Sequence, residues 1–378
     1  MYWQWYTLRR SAALTRAATY RVDLPENGML GSMLIRLSGD EVTGFGAAGG
    51  NWKLLDLISK IELIGNGSVV IKDLTGPLMQ ALAWYDGCPV PADVIRNYAT
   101  NTQFVEIPIN FGRFWGDMDY GLDLSDWDNV ELRITNTALT TEFSDTLAAT
   151  VLLGLLRPTA QARSLGYMRS EIWRTWLNVQ NEWTYLELPI EHMLRRVVIQ
   201  ALPAIGAVAT GSDTTFTNCI YQLQCFLRTG EVTVFDGYSA DLLRLNHFQS
   251  GRDVIAHMHP YLPADIAVRT SVGYPLAHVF TVGSYSGAVE TVIATLLAGQ
   301  TADTLQFESG IGQGPDEGLI KGLGFQQTVI LPFDYKLDPT TWLDANLEKQ
   351  VQLNVHCRDS ASADNATINV VLDRLVRR

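Results

Sequence analysis

The sequence predicts an all-β protein built as two β-sandwiches in tandem, with short helices confined to the connections. Three observations predict it. Apolar residues alternate with polar ones in short runs, the period of a half-buried strand. Thirty-one Gly, ten Trp, fourteen Tyr and thirteen Phe in a chain only 18% charged suit many short strands and tight turns. Finally, the two halves of the chain resemble each other block by block.

Tyr20-Arg21-Val22-Asp23-Leu24 and Val130-Glu131-Leu132-Arg133-Ile134 both alternate with period two. Between Ile61 and Ile71 two apolar runs flank Asn66-Gly67, a pair that tolerates positive φ and so suits a type I′ hairpin turn. Ala277 to Val282 is a further strand-like run. Helical periodicity is limited to Pro77 to Trp84, Ala92 to Tyr98 and Val289 to Leu297, each two or three turns.

The internal similarity begins with Leu24-Pro25 followed by Met33-Leu34-Ile35, which recurs 164 positions later as Leu188-Pro189 and Val197-Val198-Ile199. Gly67 to Asp73, with Leu78 and Leu82 downstream, matches Gly230 to Asp236 with Leu245, 163 positions on. Ile107-Pro108-Ile109-Asn110-Phe111 matches Leu331-Pro332-Phe333-Asp334-Tyr335 at 224, and Leu122-Asp123 with Val130 to Ile134 matches Leu343-Asp344 with Val351 to Val355 at 221. A weaker match relates Ala149-Thr150-Val151 to Ala366-Thr367-Ile368. The blocks keep their order and their apolar phase, and a one-residue slip would turn each strand inside out. We read an arm at 1–19, a first sandwich at 20–160, a linker at 161–167 and a second sandwich at 168–378. The offset grows from 163 to 224, so the second copy carries 61 extra residues, a long loop insertion at about 246–327. It is expected to project from one end of the sandwich and to tolerate shortening between Gly310 and Gly324.

A net charge of −12 argues against general or sequence-specific nucleic-acid binding, which needs clustered cations. Cys88, Cys219, Cys225 and Cys357 are widely spaced, so they indicate buried thiols and neither a disulfide framework nor a zinc site. The aromatic N-terminus running into Arg9 and Arg10 lacks the order of a secretory signal, and the longest aliphatic run, Ala148 to Leu156, is too short to span a bilayer.

Ile107 to Phe111, then a Gly- and Asp-rich loop, then Leu122-Asp123-Leu124-Ser125-Asp126-Trp127-Asp128-Asn129-Val130, is similar to the region leading into the last strands of double jelly-roll major capsid proteins. That family spans tectivirus-like bacteriophages, turreted archaeal viruses, adenoviruses and large eukaryotic DNA viruses. The resemblance implies two eight-stranded jelly rolls side by side, strands normal to a capsid surface, loops forming outward towers, and homotrimers with six rolls around a pseudo-sixfold axis. It also implies a structural, non-enzymatic role in the virion of an icosahedral virus, with assembly in the host cytoplasm. Neighbouring capsomers, penton and minor capsid proteins and internal-membrane lipid are the partners it implies; no cofactor is expected.

Three further patterns could carry other chemistry. His257 and His259, at i and i+2 after Gly251, could share a metal as in cupins, themselves jelly rolls, but the expected Glu is missing. Gly310-Ile311-Gly312-Gln313-Gly314 neither follows a clear strand nor opens a helix, so it is read as a loop. Asp117, Asp119, Asp123, Asp126 and Asp128 could hold Ca²⁺, though turn caps on a solvated loop explain them as well. A carbohydrate-binding or hydrolytic protein on two sandwiches, its tryptophans serving as sugar platforms, and a bicupin-like metal protein are the alternatives. In the arm, Trp3, Trp5, Tyr6, Arg9, Arg10 and Arg16, with Leu8, combine interfacial aromatics with cations. They are expected to form an inward tether, to membrane or to a neighbouring subunit, lying outside both sandwiches.

Overall fold

A computed structural model describes residues 2–40, 53–89, 93–97, 102–137, 143, 147–157, 164–203, 215–260, 266–269, 272–281, 304–307, 317–334, 337–359 and 364–377. The first half supplies β1 (Tyr2–Ala13), β2 (Thr19–Asp23), β3 (Met29–Asp40), β4 (Ile58–Gly65), β5 (Val69–Leu74), β6 (Asp93–Asn97), β7 (Thr102–Asn110), β8 (Leu122–Asp123), β9 (Val130–Asn136) and β10 (Ala148–Arg157). One sheet runs β1-β10-β3-β7, and its partner layer runs β2-β9-β4-β5.

The second half repeats the plan. Its strands are β11 (Gly166–Leu177), β12 (Trp183–Leu188), β13 (Met193–Leu202), β14 (Ile220–Leu227), β15 (Val232–Tyr238), β16 (Val254–Pro260), β17 (Ile266–Arg269), β18 (Val272–Thr281), β19 (Thr304–Phe307), β20 (Glu317–Phe325), β21 (Thr328–Pro332), β22 (Val351–Cys357) and β23 (Thr367–Arg377). The order β11-β23-β13-β21 faces β12-β22-β14-β15, the same interleaving as in the first half, so the chain is a double jelly roll. In each roll a helix follows the fifth strand of the eight: α1 (Gly76–Tyr85) after β5 and α2 (Ser239–Ser250) after β15.

Local chemistry accounts for these elements. Asn66 and Gly67 both adopt positive φ, 50° and 74°, as the predicted turn between β4 and β5 requires. The Thr75 side chain accepts a hydrogen bond from the Leu78 amide, and Pro77 occupies the first turn of α1. α2 ends at Gly251, whose φ of 62° allows its amide to bond the His247 carbonyl. The equivalent positions Val130, Leu132, Ile134 and Val351, Leu353, Val355 are all buried and alternate with half-exposed or polar residues.

The two rolls are joined as one body. β5 of the first pairs in parallel with β11 of the second, Ser170 opposite Lys72 and Glu171 opposite Asp73, so eight strands run without a break across both rolls. β13 and β23 are buried on both faces: Val197, Ile199, Val370 and Leu372 fill the second core, while Val198 and Val371 pack into the first. This is why both strands read as continuous apolar runs and not as alternation.

Three expectations are corrected. Residues 2–13 do not form an arm outside the sandwiches, because β1 pairs antiparallel with β10 from Tyr2 opposite Arg157 to Ala13 opposite Ala148 and forms the edge of the first sheet. Within the predicted helix Ala92 to Tyr98, the described residues Asp93–Asn97 form a strand pairing in parallel with β16. The insertion is more than a loop: β18-β20-β16-β6 is a separate four-stranded sheet to which the first half also contributes. β20 lies inside it, with Leu323 and Phe325 buried, so Glu317 to Gly324 is not expendable. Val289 to Leu297 and Gly310 to Gly314 lie outside the described residues, and Ala277 to Thr281 falls within β18 as expected.

Candidate functional site

For a protein whose two halves form one block, the groups that matter first are those fixing the halves together. They gather where the outer faces of β13 and β23 meet α1 and β5. Arg196 Nε lies 2.8 Å from Asp373 Oδ2 and its Nη2 is 2.7 Å from Asp86 Oδ1, while Arg195 reaches Asp86 at 2.9 Å and Asp334 at 2.8 Å. Lys72 Nζ donates to Ser170 Oγ at 2.8 Å, and that hydroxyl donates to Asp373 Oδ1 at 2.6 Å. Three cations thus face three carboxylates drawn from both rolls, all withdrawn from solvent. Burial pulls the Lys72 ammonium down to about 8 although Asp373 and Asp86 oppose it. Burial works against the Asp373 carboxylate, yet Arg196, Arg195 and Lys72 hold its pKa below the ordinary value.

An amide seam extends the junction. Gln80 on α1 donates to the Glu106 carbonyl and accepts from Gln326, whose own carbonyl accepts from Gln200; Asn369 donates to the Gln200 side chain. Tyr85 Oη donates to the Thr328 carbonyl, and Arg252 donates to the carbonyls of Trp84 and Cys88. Of these, the Gln326–Gln80, Tyr85–Thr328 and Arg252 bonds cross from one roll to the other, and so resist hinge motion between them.

The six residues predicted to contact membrane or a neighbour are not brought together at one place. Trp3 and Trp5 stack with centroids 6.5 Å apart, and Trp5 stacks on Trp115 at 5.8 Å. Tyr2, Trp5 and Tyr6 are exposed. Gly154 lies beneath Trp5 and Gly31 beneath Trp3, so the rings cover outward sheet surface. Arg9 and Arg10 stand further along β1, and Arg16 lies beyond the end of the strand, which from Trp3 to Ala13 spans roughly 30 Å at strand rise. Leu8 packs against the first core. Spacing along the sequence concealed Trp115, which only the fold brings to the stack.

Of the carboxylate cluster, Asp117 is buried and takes both Nε and Nη2 of Arg113, at 2.7 and 2.9 Å, plus the amides of Arg113 and Asp119. Burial raises its pKa, but these partners outweigh it and the value lies below the ordinary one. Asp123 caps the turn at Leu124–Asp126 through the Ser125 amide. Among the described residues no group of three or more His, Cys, Asp or Glu could hold a metal ion. His257 and His259 lie in β16, but their side chains are outside the described residues. The four cysteines are buried thiols outside any disulfide. Among the described residues no helix is long and apolar enough to cross a membrane.

Neither a family model nor a curated protein sequence matches the chain. Solved structures do. The STIV MCP aligns over 100% of this chain and 97% of its own with a TM-score of 0.63 at 12% identity. The major capsid protein P2 from bacteriophage PM2 aligns over 100% and 99% with a TM-score of 0.54 at 8% identity. The quasi-atomic PBCV-1 virus capsid aligns over 99% and 93% with a TM-score of 0.56 at 10% identity. The shared feature is the double jelly-roll fold, along nearly the whole length of each chain.

Proposed function

We propose that this double jelly roll is the major coat protein of an icosahedral virion, a tile that assembles as trimers. The observation that carries the reading is the rigid union of two like rolls, through the β5–β11 pairing and the buried ion network, in a chain that aligns end to end with capsid proteins. Two equivalent rolls held at a fixed angle offer lateral contacts in near-hexagonal directions, and three such chains close a ring of six. The role is structural and no catalytic step is assigned to it. Its partners are further copies of the chain, neighbouring capsomers, penton and minor capsid proteins, and internal-membrane lipid.

In this reading the sheet containing β16, β18 and β20 projects outward. The Trp3–Trp5–Trp115 stack, at the opposite end of the first roll, faces inward and supplies the aromatic contact to lipid or to a neighbour. Light scattering on the purified chain tests the assembly: three chains per particle is the expected result, and a monomer at every concentration contradicts the reading.

A further inference from the structure

We propose that the outer face of the β12-β22-β14-β15 sheet is a binding face for a neutral oligosaccharide. This goes beyond the capsid role and does not depend on it. The second roll turns its β13 and β23 layer toward the first roll, so this sheet is the layer farthest from it. The pairing aligns Trp183, His356, Gln222 and Tyr238 in one row across four strands, and Tyr185, Asn354, Gln224 and Asp236 in the next. Trp183 stacks on His356 with centroids 4.6 Å apart and planes at 7°, and on Tyr185 at 6.3 Å and 19°. Tyr221 lies 4.9 Å from Tyr238. The rings therefore hold each other in place while Tyr185, Tyr238 and Tyr221 remain 65%, 51% and 39% exposed.

The chemistry of the face selects its occupant. Between the rings lies a carpet of amides around one carboxylate: Gln222 and Gln224 both donate to Asp236 Oδ1, Asn354 donates to Gln224, and Gln352 donates to Asn354. Pyranose rings present C–H faces that pack on aromatic rings and hydroxyls that both donate to and accept from amides. A protein partner would call for a more apolar centre, and an anionic polymer for clustered cations, whereas Arg358 is the cation beside the rings and is bonded to Asn218. From Tyr185 on β12 to Asp236 on β15 the row spans three strand spacings, about 14 Å, the reach of a short oligosaccharide and not of a single sugar.

The matching face of the first roll is a control within the molecule. There the equivalent rows hold the Thr19–Thr135 hydroxyl pair and ion pairs of Arg21 and Arg133 with Glu131 and of Lys60 with Glu62 and Asp73. The same scaffold thus carries paired charges on one copy and rings with amides on the other. The aromatic row also lies at the end from which α2 and the inserted sheet depart, since Tyr238 directly precedes α2.

The test is calorimetric titration of the full-length protein with cellohexaose, chitohexaose, maltohexaose and mannohexaose, with light scattering on the same samples. Saturable binding of at least one is expected. It should weaken about tenfold in Tyr185→Ala and in Tyr238→Ala, equivalent to about 1.4 kcal/mol for the lost ring contact. Melting temperature and particle size should be unchanged, and Arg21→Ala should have no effect. No saturable heat with any of the four at millimolar concentration overturns the proposal. So does binding that survives both tyrosine variants, or variants that lose assembly but keep saccharide affinity, which would make the face a contact between copies. Loss of binding with trimers intact leaves the capsid reading standing.

Discussion

Arg196 touches Asp86 of the first roll and Asp373 of the second, so its removal takes the closest cation from Asp373 and leaves Asp86 with Arg195 alone, both away from water. Arg196→Leu should cost about 3–5 kcal/mol in denaturant unfolding, the usual consequence of breaking a buried pair from one side. Proton linkage adds two signatures. Asp373 and Asp117 have folded pKa values below their unfolded ones, so the stability they confer is complete above about pH 4 and is lost as pH falls further. Lys72 behaves in the opposite sense. Its folded value of about 8 is below the unfolded value of about 10.4, so the penalty of burying its charge is relieved as pH rises across that interval. Burial raises the Cys88 thiol to about 11 and Cys225 to about 12, which removes stability in the same window. The Lys72 effect is therefore read as a difference: relative to Lys72→Met, the wild-type melting temperature should climb from pH 8 to 10. A parallel pair of pH profiles would contradict it.

At the scale of elements, the sequence repeat located strands whose faces the fold then specified. Val130–Ile134 and Val351–Val355 take the same place, opposite Leu63 and Ile61 in one roll and Cys225 and Leu223 in the other. Leu132→Ala and Leu353→Ala should each cost roughly 2–5 kcal/mol, measured by the same unfolding experiment. Leu122 bridges Leu30 and Leu343 bridges Leu194, again at matching places. The Ile107–Phe111 match identified the right strands but slipped: Ile109, and not Ile107, is the partner-equivalent of Leu331, because Met33 and Val197 are their respective neighbours. A slip of two preserves which face is buried, so apolar phase could not reveal it. Leu245 was matched to buried Leu82 but is itself exposed, and α2 buries Leu242 and Leu243 instead. β1 was missed because an edge strand with Trp and Arg on its exposed side has no clean alternation; only its partner β10 reveals it. Removal of residues 2–13 should accordingly lower the melting temperature and promote aggregation through the bared edge of β10, where an independent arm would leave melting unchanged.

Over the whole molecule, the two rolls differ where they serve different ends and agree where they fold. The cores, the helix after the fifth strand and the strand order are common, whereas three of the four strands of the inserted sheet and the aromatic outer face belong to the second copy. The junction could not be read in advance, because its charges come from Lys72, Asp86, Arg195, Arg196, Asp334 and Asp373, which only the folded chain assembles. A rigid pair of rolls is what the proposed capsid tile needs, since a hinge between them would let the lateral contacts drift out of hexagonal register. Electron microscopy of the purified, concentrated chain tests that claim most directly. Class averages should contain trimers with six lobes around a pseudo-sixfold axis, packing edge to edge into hexagonal sheets or shells. Isolated two-lobed monomers, with no trimers at any concentration or salt, would contradict it.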